Sequence, residues 1–347
     1  MPLSAKKKKR RRQGRLLWLL PVALVAVALI LLARQLDGSP AVTPAPSASE
    51  PALSAAAPEP TAAPAPAESP GPTPEPTPVP TPEPTPDPTP EPEPTLMPEA
   101  VASLAEAALA TPRRWSREEA VARLEELAEW DSRFLLLRDR ADEFSDMVLT
   151  DAANNPELLE FLLDYPKKQT EFGEFTEAEL RGEVPLLLQY DARWGYYPYG
   201  SSALAVTGCG PTCLSICALH FTGNPEATPD RMAQWCLDND YYVYGAGTKW
   251  ALFTTGAAAW GLEGKELGLW KQGMYSALDE GKWIVLIMDT GDFTVFGHFI
   301  VLCGYDENGF EVLDPFSVAR TGVRWTYEQI SGQISNLWAI RALPEEG

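Results

Sequence analysis

Three cysteines fall within nine positions in TGCGPTCLSICALH, residues 207–220, and a histidine closes the stretch. Such a set serves a metal or redox cluster, one reactive thiol beside two bystanders, or the apolar side of a core helix. Pro211 suits the first turn of a helix, so the spacing predicts a helix over about 211–220 with Cys209, Cys213 and Cys217 along one stripe. Thiols in a row do not converge on a metal as zinc spacings do. Cys213 and Cys217 therefore read as buried core, where free cysteine is commonly found. Cys209 differs because it sits at the helix start. Unpaired N–H groups and the macrodipole favour negative charge there, and the same N–H groups suit an oxyanion. Gly208 and Gly210 flank it and are expected to let a substrate backbone approach.

A nucleophilic thiolate needs a base, and the chain has two histidines. His220 lies eleven residues further along the same helix, about 16 Å away, so His298 is the partner by elimination. The elements that must carry it are read from FGHFIVLCGYDENGFEVLDPF, residues 296–316. His298 to Tyr305 alternates as a strand, DENG forms a turn with Gly309 as a bulge, and the next strand ends at Asp314. His298 and Asp314 then share one end of a hairpin and one face, about four residues apart along the strands. An acid there would orient the imidazole and stabilise its charged form. Singly, a strand histidine is usually a packing residue and an Asp before Pro usually a turn former. Together with a cysteine at a helix start they point to acyl transfer.

QYDARWGYYPYG, GCGPTCLS and GHFIVLCGYDENGFEVLDP, in that order, resemble the papain-like cysteine peptidases of the C39-like group, relatives of the bacteriocin-leader peptidases. The resemblance covers about residues 183–340. It implies a papain-like fold with a nucleophile helix packed on an antiparallel sheet. It also implies Cys209 as nucleophile, His298 as base, Asp314 as orienting acid and Gln189 as side-chain donor of the oxyanion hole. No metal or cofactor is implied. The leader peptidases are fused to an export ATPase, whereas no GxxxxGK[ST] phosphate loop occurs here, which argues against bacteriocin-leader removal.

The rest of the chain divides by composition. Residues 1–15 form a basic tail, and LLWLLPVALVAVALILLA at 16–33 carries no charge. At 1.5 Å per residue that run spans roughly 27 Å, close to a bilayer core. We read 16–34 as a signal anchor with the basic side cytoplasmic; a cleaved signal peptide has the same order. Residues 35–98 are a proline-rich acidic linker: 22 of the 34 prolines lie in 39–98. Proline fixes its own φ and extends its predecessor, so this stretch must be polyproline-II-like, reaching on the order of 190 Å.

Residues 99–182 read as two to four helices of an accessory region, acidic outside, packed against the C-terminal part of the chain. Ser116 and Glu119 form a capping box, with Ala120, Leu124, Leu127 and Trp130 on the inner face; Asn155 caps a second helix that opens on Pro156. Residues 183–344 mix the cysteine helix with later strands, an α+β pattern with an antiparallel sheet. Tyr190, Trp194, Tyr196, Tyr197 and Tyr199 are read as packing rather than cleft, and GAGTKW at 245–250 as a helix entry with Trp250 in the core.

The formal charge of −20 lies wholly after the linker, since the nine bases before Gln35 balance the nine acids of 35–98. A surface that acidic argues against nucleic acid as a partner. Five cysteines outside the cytoplasm do not make a disulfide framework. The expected protein is a cell-surface cysteine peptidase or amidase acting on a peptide or peptidoglycan-type amide, membrane-bound through one N-terminal helix. The competing reading is a non-catalytic peptide- or wall-binding module on the same fold. Oligomeric state has no signal in the sequence.

Overall fold

The computed structural model describes residues 96–182 and 184–344, which lie in one compact unit. The expected anchor and nearly all of the linker lie outside the described residues. Among the described residues no helix is long and apolar enough to cross a membrane.

The described residues first form six short α-helices, Pro98–Leu109, Arg117–Leu127, Phe134–Asp139, Asp146–Asn154, Leu159–Asp164 and Glu177–Arg181. These are more and shorter than expected, and the first starts on Pro98, inside the stretch read as linker. Ser116 and Glu119 form the capping box, and Ala120, Leu124 and Leu127 are buried. Asp131 breaks the helical run beyond Leu127: its Oδ1 accepts the Arg133 N–H at 3.0 Å and its carboxylate grips the Arg133 guanidinium, a local turn that competes with helix. Asn155 accepts the Glu157 N–H ahead of a 3₁₀ turn at Pro156–Leu158. Short helices leave many carbonyls unpaired, and arginines take them: Arg117 donates to Ala141 and Phe144, and Arg140 to Leu163 and Tyr165.

Two small ladders come next, β1 (Pro198–Tyr199) with β2 (Ser202–Ala203) and β3 (Tyr242–Val243) with β4 (Gly247–Thr248). Between them lies the Cys209–Thr222 helix. It begins two residues before Pro211, because a proline in the first turn removes an N–H that has no acceptor anyway. A six-stranded sheet comes last: β5 (Leu262–Glu266), β6 (Trp283–Met288), β7 (His298–Asp306), β8 (Gly309–Leu313), β9 (Arg324–Trp325) and β10 (Ile334–Ala342). Its order is β5-β10-β6-β7-β8-β9 and every pairing is antiparallel. This is the expected mixture of helix and antiparallel sheet.

Alternation builds two cores on the sheet. Val285, Val301 and Leu313 pack with Cys213, Leu214 and Cys217 of the cysteine helix, while Ile284, Leu286, Ile300 and Val312 pack with Met274, Phe293 and Ile330 on the other face. A third core joins the helical segment to the rest. It contains Leu124, Leu149 and Phe161, and is completed by Tyr196, Ala203 and Ala205. The Tyr196 ring stacks on Phe161 at 4.6 Å. Trp194 and Tyr199 are also buried, so the aromatic cluster is packing.

Candidate active site

The Cys209–Thr222 helix starts at the nucleophile candidate itself. Cys209 is half-buried, while Cys213 and Cys217 are buried, and burial pushes the Cys213 thiol well up. The flanking glycines serve packing rather than substrate access. A Cβ on Gly208 would strike the Leu204 carbonyl, and one on Gly210 would lie 2.6 Å from Thr248 Oγ1.

His298 opens β7 and Asp314 lies just past β8. Val301 pairs with Leu313 and Leu302 with Val312, but Gly304 pairs with Glu311, so the extra residue is Cys303 on the histidine strand. Gly309 pairs directly with Asp306 and is needed for another reason: its φ is +139° and a Cβ would lie 2.6 Å from the Trp325 carbonyl of β9. Moving the bulge from β8 to β7 shortens the offset between His298 and Asp314 from the expected four residues to two, on the same face. His298 Nε2 lies 2.7 Å from Asp314 Oδ1. Oδ1 also accepts the Phe316 N–H at 2.8 Å, and the Phe316 ring meets the imidazole edge-on at 6.0 Å.

Burial alone would lower the pKa of His298, but the attraction and hydrogen bond of Asp314, with a further pull from Cys209, raise it to about 10. The ring is therefore held charged at neutral pH between the carboxylate and the sulfur. Since Nε2 is engaged by Asp314, Nδ1 is the nitrogen left for Cys209. Behind the carboxylate lies Arg320, 1% exposed, with Nη1 4.0 Å from Asp314 Oδ2 and Nε donating to the Asp292 carbonyl. Sequence reasoning did not find Arg320.

Gln189 is 2% exposed and borders the same cleft as Cys209 and His298. Its backbone N–H donates to the Pro315 carbonyl at 2.8 Å and its Nε2 to the Ala205 carbonyl at 2.7 Å. One hydrogen of Nε2 stays available. The structure thus brings Cys209, His298, Asp314 and Gln189 together. His220, excluded on distance, stacks on Trp283 at 3.8 Å.

The cleft has a volume of about 510 Å³. Trp250, expected in the core, opens a 3₁₀ turn and is 47% exposed at the cleft. One wall comes from the helical segment: Met147, Asp151 and Asn154, on one face of the Asp146–Asn154 helix. Burial pushes the Asp151 carboxyl up to about 7, with the charged His298 pulling it down. Asp151 went unseen in the sequence because an acid on an amphipathic helix reads as a solvated face; its spacing of four from Met147 was the available signal. Among the described residues no cluster of side chains is arranged to hold a metal ion.

Residues 182–342 match the family described as Peptidase_C39 like. Three solved structures are similar to parts of the chain. The peptidase domain of Streptococcus ComA, a bifunctional ABC transporter of a quorum-sensing pathway, is 19% identical, with 40% of this chain and 93% of that one covered and a TM-score of 0.29. A Bacillus anthracis protein described as a C39-like peptidase is 17% identical, with 50% and 100% covered and a TM-score of 0.32. A double-glycine-motif protease of an AMS/PCAT transporter, solved with a leader peptide, is 16% identical, with 50% and 100% covered and a TM-score of 0.29. A search of curated proteins returned no match. The family match takes in Gln189, Cys209, His298 and Asp314, so the candidate site lies within the part of the chain that is similar to the C39-like peptidases.

Proposed function

We propose that the chain is a cysteine peptidase or amidase of papain-like fold that cuts an amide through a thioester on Cys209. The observation that carries this reading is the buried 2.7 Å contact between His298 and Asp314 at the cleft that a half-buried Cys209 borders. The Cys209 sulfur attacks the amide carbon, and the carbonyl π electrons move to oxygen. The Cys209 N–H and the free N–H of Gln189 receive that oxyanion. Collapse re-forms the carbonyl and breaks the C–N bond, and the amine leaves with the proton from His298 Nδ1. Neutral His298 then takes a proton from water as the oxygen attacks the thioester. The carboxylic acid departs, and the sulfur and the charged ring are restored. Asp314 orients the ring throughout.

The order of basic tail, apolar run and proline stretch supports an enzyme held outside the membrane on a spacer, with peptides or peptidoglycan cross-links as substrates. A cysteine-directed activity probe on the full chain tests the chemistry. Wild type takes one label and Cys209→Ala none; labelling that persists in Cys209→Ala discards the assignment.

A further inference from the structure

We propose that the helical segment selects the substrate, with Asp151 receiving a cationic group, a lysyl, arginyl or free amino group, next to the bond that Cys209 attacks. The proposal rests on the peptidase reading and names the substrate class of that same cleft.

Asp151 is half-buried and borders the cleft together with Cys209 and His298. Among the described residues its carboxylate accepts no hydrogen bond and closes no ion pair. Its neighbours on the helical segment behave otherwise. Glu119, Asp131, Asp146 and Glu160 each hold an arginine, and Glu157 accepts the N–H groups of Val318 and Ala319 at 2.8 Å. A half-desolvated carboxylate without a donor is costly unless a partner arrives from outside. The nearby cation does not fill that place, because the two ring nitrogens of His298 are engaged by Asp314 and Cys209 and its attraction reaches Asp151 without a hydrogen bond.

The rest of the cleft agrees in sign. Asp289 borders it, and among the described residues its carboxylate accepts only the Thr290 N–H, at 2.7 Å. Arg320 is the lining arginine, and it is buried and turned to Asp314 and the Asp292 carbonyl. Met147, Trp250 and Phe296 are exposed at the walls and suit the methylene stem of a long cationic side chain, which buries its carbons while the charge is paired. A neutral side chain would cover Asp151 without a donor, and an acidic one would add repulsion, so the site discriminates twice. Asp151 precedes the family match, which begins at residue 182. The preference therefore belongs to this chain rather than to the matched domain.

The test uses peptidyl vinyl sulfones carrying Lys, norleucine or Glu at each position flanking the warhead, applied to the full chain. At one position the lysyl probe should label wild type about tenfold faster than the norleucyl probe, the size of one charge-assisted hydrogen bond. Asp151→Asn should bring that ratio close to one, and Asp151→Lys should make the glutamyl probe the fastest, a reversal that misfolding cannot produce. Equal labelling by lysyl and norleucyl probes at every position overturns the proposal, as does a lysyl preference that survives Asp151→Asn. If no probe labels Cys209, the peptidase reading fails on its own account. Equilibrium binding of the same peptides without the warhead to Cys209→Ala, with and without Asp151→Asn, then decides the subsite by the same ratio.

Discussion

The helical segment 96–182 and the sheet-bearing region 184–344 are held together by different physics. The sheet region lays alternating aliphatic side chains on two faces, so its order comes from burial. The helical segment consists of short pieces whose spare carbonyls are taken by Arg117 and Arg140, and its core needs Tyr196, Ala203 and Ala205 from the other region to close. One region carries the groups proposed to react. The other grips the loops beside them: Arg114 donates to the Val295 carbonyl, Thr111 Oγ1 lies 2.9 Å from Asp292 Oδ1, and Asn155 Nδ2 donates to the Phe316 carbonyl. The contrast teaches that a segment outside the family match can be part of the site by construction.

The largest effect should come from the sheet region alone. Asp314→Asn keeps the volume but removes the carboxylate that holds the His298 ring charged. A loss of about a thousandfold or more in kcat/KM is expected, as for the loss of an orienting acid in other triads. The pH profile carries the sign. A raised histidine pKa favours the charged ring, so in wild type the proton needed by the leaving amine is lost only as pH rises through about 10. In Asp314→Asn that alkaline limb should move down towards the ordinary histidine range near 6.5. Stability has the same sign: the pair stabilises the fold fully below about 6.5 and ceases to as pH rises through about 10. An alkaline limb that stays put in Asp314→Asn would show that the carboxylate does not set the ring's charge.

How much of this was legible differs between the two regions for a physical reason. Cys209 at a helix start and His298 and Asp314 on one hairpin are local features, and residue order carries them. Their approach was misjudged because Gly309 reads as a bulge, whereas its positive φ and the closeness of Trp325 explain it and the extra residue is Cys303. Placing that residue on the wrong strand displaced Asp314 by two positions without changing its face. Asp151 and His298 are 147 positions apart and meet only through tertiary packing, which hydrophobic periodicity does not encode. The Asp146–Asn154 helix announces its buried face, Val148, Leu149, Ala152 and Ala153. Its cleft face looks like any polar surface.

Asn155→Ala probes the joint between the regions and should have an intermediate effect. Its buried side chain accepts from the Glu157 N–H and donates to the Phe316 carbonyl. Phe316 in turn donates its N–H to Asp314 and lays its ring against His298. The expected cost is about 1–3 kcal/mol of unfolding free energy, for buried groups left unpaired. A drop of about tenfold in kcat/KM should accompany it, since small misplacements of catalytic groups are expensive. Denaturant melts and steady-state kinetics read the two quantities separately. Lost stability with intact kinetics would return the helical segment to the rank of an accessory.

Ser116→Ala should have the smallest effect and sharpens the contrast from the opposite side. Ser116 Oγ accepts the Glu119 N–H at 3.2 Å, and the Glu119 carboxylate accepts the Ser116 N–H at 2.9 Å. Removing the hydroxyl frees one donor at the start of the Arg117–Leu127 helix and should cost about 1 kcal/mol. None of these atoms borders the cleft. If the helical segment acts on catalysis only through Asp151 and the Asn155–Phe316 tie, hydrogen exchange should speed up over the first turn of that helix while probe labelling of Cys209 keeps its rate. A labelling rate that falls along with the cap would mean that the internal stability of the helical segment, and not only its two points of contact, is coupled to the cleft.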